Sequence, residues 1–236
     1  MVVGLAFLAT AVATLFAQAT LVRATRDRRP QDRVWTIALA LVALASAALA
    51  TGTSTGWDNG TFRVFYLLGA VLAVPWLALG TVYLLVRVEV GRRVERVLLF
   101  VSGLATGVLF AAPMEPVHGT AIPVGKDVFG VFPRVLAAVA NGLGATVILI
   151  GALISAWRFW RDRSAPGNGR RAGANLLIAL GTLVLSSGGL IQGIAGKDGA
   201  FVLSLAIGIS VIYAGFLVAA STGAAEVPIR SAALET

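Results

Sequence analysis

The 236-residue chain contains no cysteine. Disulfide frameworks, thiolate nucleophiles, cysteine-ligated zinc and iron–sulfur clusters are therefore excluded. It has one histidine, His118. A bis-histidine haem or a three-histidine zinc hydrolase needs more imidazoles than that. Charge is scarce as well: 13% of residues are Asp, Glu, Lys or Arg, against roughly a quarter in soluble domains. With 58% hydrophobic residues and a mean hydropathy of +0.88, the shortage rules out a soluble fold, a disordered chain and a coiled coil. What remains is an all-α, polytopic integral membrane protein.

A hydrocarbon core of ~30 Å needs about 20 apolar residues at ~1.5 Å each. Seven stretches qualify: Val2 to Val22, Val34 to Gly52, Phe62 to Val86, Val94 to Ala112, Pro133 to Trp157, Gly173 to Gly193 and Ala200 to Ala220. They form one expected transmembrane domain over residues 1–222, followed by a short tail at 223–236. The longest connection, Pro113 to Phe132, carries Pro113, Pro116 and Pro123 and has room only for a short lid or re-entrant piece. Ala17-Gln18-Ala19 resembles a signal-peptidase site. No basic residue precedes the apolar run, however, and five arginines follow it, so the first stretch is expected to be a retained helix.

Basic residues alternate between connections. Arg23, Arg26, Arg28, Arg29 and Arg33 follow the first span. Arg87, Arg92, Arg93 and Arg96 follow the third, and Arg158, Arg161, Arg163, Arg170 and Arg171 follow the fifth. The other connections hold only Arg63, Lys126, Arg134 and Lys197. The positive-inside rule then predicts cytoplasmic odd-numbered connections, an outside N-terminus and a cytoplasmic C-terminus. The net charge of +8 is accounted for without nucleic acid. The expected partners are the bilayer itself, another membrane protein, and anionic inner-leaflet lipid. That lipid would meet Arg23, Arg26, Arg28, Arg29, Arg92, Arg93, Arg161, Arg163, Arg170 and Arg171, at about 1 kcal/mol each near the surface. Trp35, Tyr83, Trp157 and Trp160 fall at the arginine-rich ends and Trp57 and Tyr66 at the opposite ends, the depths amphipathic rings favour. Arginine far outnumbers lysine, which suits a GC-rich bacterial genome, and the expected location is the cell's inner (plasma) membrane.

The first and last three spans share a layout. Each set has Arg-Asp-Arg in its first connection (Arg26 to Arg28; Arg161 to Arg163). Ala40, Leu41 and Leu44 align with Ala179, Leu180 and Leu183 in one ungapped register, which also pairs the turn Asp58 to Phe62 with Lys197 to Phe201. Aligning Arg-Asp-Arg as well needs a four-residue gap, so the layout fits either a parallel three-plus-one-plus-three repeat, with units 1–87 and 133–220 joined by the helix at 94–112, or a plain helical bundle with similar loop rules in both halves. In transporters built of such repeats, sites lie at the repeat interface.

No Asp, Glu or Lys lies near the centre of a span, which argues against a deep carboxylate relay. The charges off the arginine-rich face are Asp58, Arg63, Glu115, His118, Lys126, Asp127, Arg134, Lys197 and Asp198. They are a solvated rim or a shallow polar pocket. Arg63 and Arg134 lie in the first turns of apolar helices, where a guanidinium snorkels or binds an anionic group. Glu115 and His118 are a candidate acid–base pair. Asn141 and Gln192 are two-sided amides placed to face a common cavity. Pro75 removes a helical donor and predicts a kink or hinge, with Trp76 beside it. Gly103 with Gly107, and Gly189 with Gly193, are GxxxG pairs that let helices approach closely. A retinal Schiff base is excluded, because the seventh span has no lysine.

No cofactor is implied. The expected role is non-enzymatic: a sensor, scaffold or accessory subunit acting by association. The alternative is a small-solute transporter with a site between the repeats. A third reading is a lipid-modifying enzyme using Glu115 and His118 at the outer interface.

Overall fold

The computed structural model describes residues 1–162, 167–195 and 198–224, apart from the side chains at 189–195, 220 and 222–224. Arg163, Lys197, the Gln192 side chain and the tail beyond 224 lie outside the described residues. The seven expected spans are seven long helices, each long and apolar enough to cross a membrane. They are α1 (Val2–Asp27), α2 (Pro30–Thr55), α3 (Asn59–Leu85), α4 (Val88–Ala111), α5 (Val131–Arg161), α6 (Asn168–Ala195) and α7 (Asp198–Ala224). No β-strand occurs among the described residues; Met114 and Phe129 form one isolated bridge. In hydrocarbon every backbone polar group needs an internal partner, and a helix supplies one within its own segment.

Every helix outruns its apolar stretch by a few residues. α4 shows it best, starting six residues before Val94 and carrying Glu89, Arg92 and Arg93 in its opening turns. Apolarity marks the thickness of the hydrocarbon; the hydrogen-bond ladder continues into the polar layer. Where α1 stops, Arg28 takes a left-handed conformation (φ 50°), and Pro30 opens α2 at a position where its missing N–H costs nothing.

Six helices pack as a closed ring. α1 lies on α2, α2 on α3, α3 on α5, α5 on α6, α6 on α7, and α7 returns to α1. The α1–α7 closure is aromatic: Phe16 meets Tyr213 and Phe216 at 4.9 and 5.1 Å between ring centroids. α4 stands outside the ring against α3. The ring has a filled interior. Phe16, Leu39, Ala73, Ile209 and Phe216 meet across its middle. Val34, Ala38, Trp76, Leu79 and Tyr83 fill the side of α2 and α3 toward the arginine-rich end. At the opposite end the connection between α4 and α5 folds back over the helices. Its Val117, Ile122, Val128 and Phe129 are buried with Leu49, Trp57, Phe62 and Val202. The expected lid is therefore a hydrophobic plug, with a single helical turn at Gly125–Val128.

Some interfacial aromatics turn inward. Trp157 and Trp160 are 59% and 54% exposed, as a membrane belt requires. Trp57 and Tyr83 are only 4% and 6% exposed and belong to the core. Their position along the chain suits either role, and the packing of α3 decides it.

Candidate functional site

The polar residues at the plug end are joined mostly to the chain's own backbone. Asp58 caps α3, accepting from the Gly60 and Thr61 amides at 2.8 and 3.0 Å and from the Thr61 hydroxyl at 2.6 Å. The Thr61 hydroxyl and amide, with the Gly60 amide, hold its carboxyl below the usual carboxylate range. Asn59 accepts from the Val117 amide at 3.0 Å, and Asp198 from the Ile122 amide at 2.9 Å. The Trp57 amide donates to the Gly119 carbonyl at 2.7 Å. These last three bonds pin the plug to α3, to α7 and to the α2–α3 connection.

Arg63 is half-buried and reaches across to α4. Its Nη1 donates to the carbonyl of Leu109 and, at 3.2 Å, to that of Phe110; its Nη2 donates to the Ala112 carbonyl at 2.8 Å. The last carbonyls of a helix have no donor of their own, and a cation there also suits the helix dipole. The guanidinium also lies 5.9 Å from the centroid of the Phe129 ring. Arg63 thus ties α4, the plug and α3 together.

Arg134, Glu115 and His118 are exposed. The Glu115 amide donates to the Val128 carbonyl at 3.0 Å, which fixes the backbone of the plug. No hydrogen bond joins the Glu115 and His118 side chains among the described residues.

Asn141, on α5, meets the proline turn of α3. From Tyr66 to Leu72 the helix widens to π pitch, with the Ala73 amide bonding back to the Leu68 carbonyl. Pro75 has no N–H to give the turn before it. At the five-residue spacing of the wide turn, the carbonyl that loses its donor is Ala70's. Asn141 Nδ2 donates to that carbonyl at 2.6 Å. Gly144, one turn along α5, lets the backbones approach: a Cβ built there would stand 3.0 Å from the Val74 carbonyl carbon and 3.1 Å from the Pro75 nitrogen. Trp76 is buried and its Nε1 donates to the Ser102 hydroxyl on α4 at 3.2 Å. The structure therefore brings Asn141, Pro75 and Trp76 to one region of α3, with Arg63 three turns away, and each of the three polar side chains has an internal partner. Arg134, Glu115 and His118 are not part of this group.

The chain matches no protein-family model, and neither a curated protein nor a solved structure resembles it significantly. The site rests on its own geometry.

Two shallow grooves open on the outer wall. One, of about 440 Å³, lies between the end of α4 and the start of α5, against Val108, Ala111, Pro113, Val131 and Phe132. The other, of about 350 Å³, lies between α5 and α6 against Leu153, Ala156, Trp157, Trp160 and Leu176. Both are lined by apolar side chains.

Three polar features escape a sequence reading. Asp32 is almost fully buried in the first turn of α2, with one carboxyl oxygen lacking a partner among the described residues. It sits in an arginine-rich connection and so looks solvated. The Trp57 Nε1 is likewise buried without a hydrogen-bond partner, its ring edge-on to Phe62. Glu95 takes a hydrogen bond from Tyr83 and an ion pair from Arg33 at 2.6 Å, fastening α4 to α2 and α3. Spacing does not reveal these links, because the partners are up to 62 residues apart.

Proposed function

We propose that the chain is a non-catalytic, multi-pass membrane module that acts by association with another membrane protein, as a sensor, scaffold or accessory subunit. One observation carries this reading: α4 stands outside the ring with a bare face. Ala105 and Leu109 hold it to the bundle, while Phe100 on the other side is 74% exposed and Val97, Leu104 and Phe110 are exposed with it. A Cβ built at Gly103 or Gly107 would meet nothing within 4 Å, so this small-residue strip has no helix opposite it. In lipid, such strips allow two helices to pack at close range. The polar side chains best suited to hold a solute are meanwhile engaged with backbone carbonyls or neighbouring helices. In this proposal the membrane is the plasma membrane and the arginine-rich ends are cytoplasmic, on the strength of the arginine distribution.

The test is crosslinking in native membranes followed by purification of wild type and a Gly103→Leu, Gly107→Leu double variant. Both positions are open, so the variant is expected to fold. A partner retained by wild type and lost at least tenfold from the variant supports the reading. Recovery of wild type without a stable partner overturns it.

A second reading draws on the wide turn before Pro75. A π-pitch segment is a place where a helix deforms readily. A small-solute carrier with its hinge at Pro75 uses that feature, with α1–α3 moving against α5–α7.

A further inference from the structure

The groove between α5 and α6 combines three properties. Its wall is apolar: Leu153, Trp157, Trp160 and Leu176 are all exposed along it. It lies in the last turns of α5, at the arginine-rich end of the bundle. A cation stands on its wall, for the Arg161 guanidinium sits 5.4 Å from the centroid of the Trp157 ring. Among the described residues no acceptor meets the N–H groups of Arg161, so its forked donors remain for a ligand. The groove is also held open by the fold. Asn168 Nδ2 donates to the Asp162 carbonyl at 2.7 Å, clamping the end of α5 to the start of α6. Gly169 and Gly173 leave the adjoining strip of α6 without side chains, and a Cβ at either would meet nothing within 4 Å.

We propose that this groove is a binding site for one anionic phospholipid of the cytoplasmic leaflet. One acyl chain lies along Leu153, Trp157 and Leu176, and the phosphate accepts from Arg161. The proposal goes beyond the association reading and takes the arginine-rich end as cytoplasmic. Lipid tails are about as apolar as leucine, so the groove gives little preference for bound lipid over bulk lipid. Selectivity comes from the headgroup. A guanidinium pairs with phosphate through two parallel hydrogen bonds, and the tryptophan ring beneath holds it at the right depth. The wider scatter of arginines on this face attracts anionic lipid diffusely; Arg161 differs because it adjoins a seat for the acyl chain.

The test is native mass spectrometry of the purified full chain with dioleoylphosphatidylglycerol or dioleoylphosphatidylcholine added in detergent. One phosphatidylglycerol per chain is expected to survive at energies that strip phosphatidylcholine. R161Q is expected to weaken its retention about tenfold, a change of about 1.4 kcal/mol. L176Q, at an exposed groove position, is expected to weaken it several-fold. R26Q/R28Q removes more charge from the same face away from the groove and is expected to leave retention within twofold. Equal retention of the two lipids overturns the proposal. So does an R26Q/R28Q loss as large as that of R161Q, which would mean diffuse attraction only. So does an L176Q variant that holds the lipid like wild type.

Discussion

The α2–α3 seam and the α6–α7 seam both come close through glycine, yet the glycines face different things. At Gly80 the neighbour is a side chain: the Trp35 ring lies in the notch, with Nε1 donating to the Leu77 carbonyl at 3.2 Å. At Gly181 the neighbours are the Ile212 side chain, whose Cγ1 would lie 2.6 Å from a Cβ, and the backbone of α7. A Cβ there would stand 2.8 Å from the Gly208 carbonyl oxygen and 2.9 Å from the Ile212 nitrogen, and one at Gly208 would stand 3.0 Å from the Gly181 carbonyl oxygen. Gly215 faces the Ala174 carbonyl in the same way, at 2.8 Å. One seam fits a large ring into a gap. The other lays two backbones together. Two helix seams of one bundle are thus joined by different packing rules.

The contrast predicts different responses to added bulk. Gly181→Leu is expected to have the largest effect, a loss of about 3 kcal/mol or more, because overfilling a seam bounded by backbone forces the helices apart. Thermal unfolding in detergent measures it, and adding Ile212→Ala is expected to recover little, since the Gly208 carbonyl remains. Recovery of most of the loss would show that side chains, not backbone, bound this seam. Gly80→Ala comes next, at about 2 kcal/mol, and there a Trp35→Leu background is expected to absorb most of the penalty. A Gly80→Ala cost that is unchanged in that background would erase the distinction between the seams.

Asn141→Leu probes the link between α5 and α3 and has the smallest expected effect, about 1 kcal/mol from the lost hydrogen bond to the Ala70 carbonyl. In a Pro75→Ala background the α3 ladder regains a donor, and Asn141→Leu is expected to become nearly neutral. The same loss in both backgrounds would mean that Asn141 is not compensating for the proline. A double-mutant cycle on unfolding in detergent reads the coupling.

Much of the fold was legible in the sequence, because hydrocarbon thickness imposes span length directly. All seven spans follow from apolar runs, whereas the π-pitch turn before Pro75 does not follow from the proline alone. The candidate site was legible only as a set of residue types. Arg63 stands out as a charge in an apolar helix, but its acceptors are carbonyls of α4, and carbonyls have no sequence signature. Asn141 stands out as an amide in an apolar helix, but pairing it with Ala70 requires knowing that the turn before Pro75 widens. The plug was readable as a short lid; that Val117, Ile122 and Phe129 belong to the core depends on bonds to Asn59 and Asp198. Gln192 lies outside the described side chains.

The ring also sets an order in time. Its closing contact joins Phe16 in the first helix to Tyr213 and Phe216 in the last. At roughly 5–20 residues per second, synthesis separates the two by on the order of ten seconds or more. Through that interval α1 and α2 are in the membrane as a pair, with the α1 edge uncovered. The aromatic seam is therefore the last to form, and the newly made chain is most open to wrong neighbours along α1.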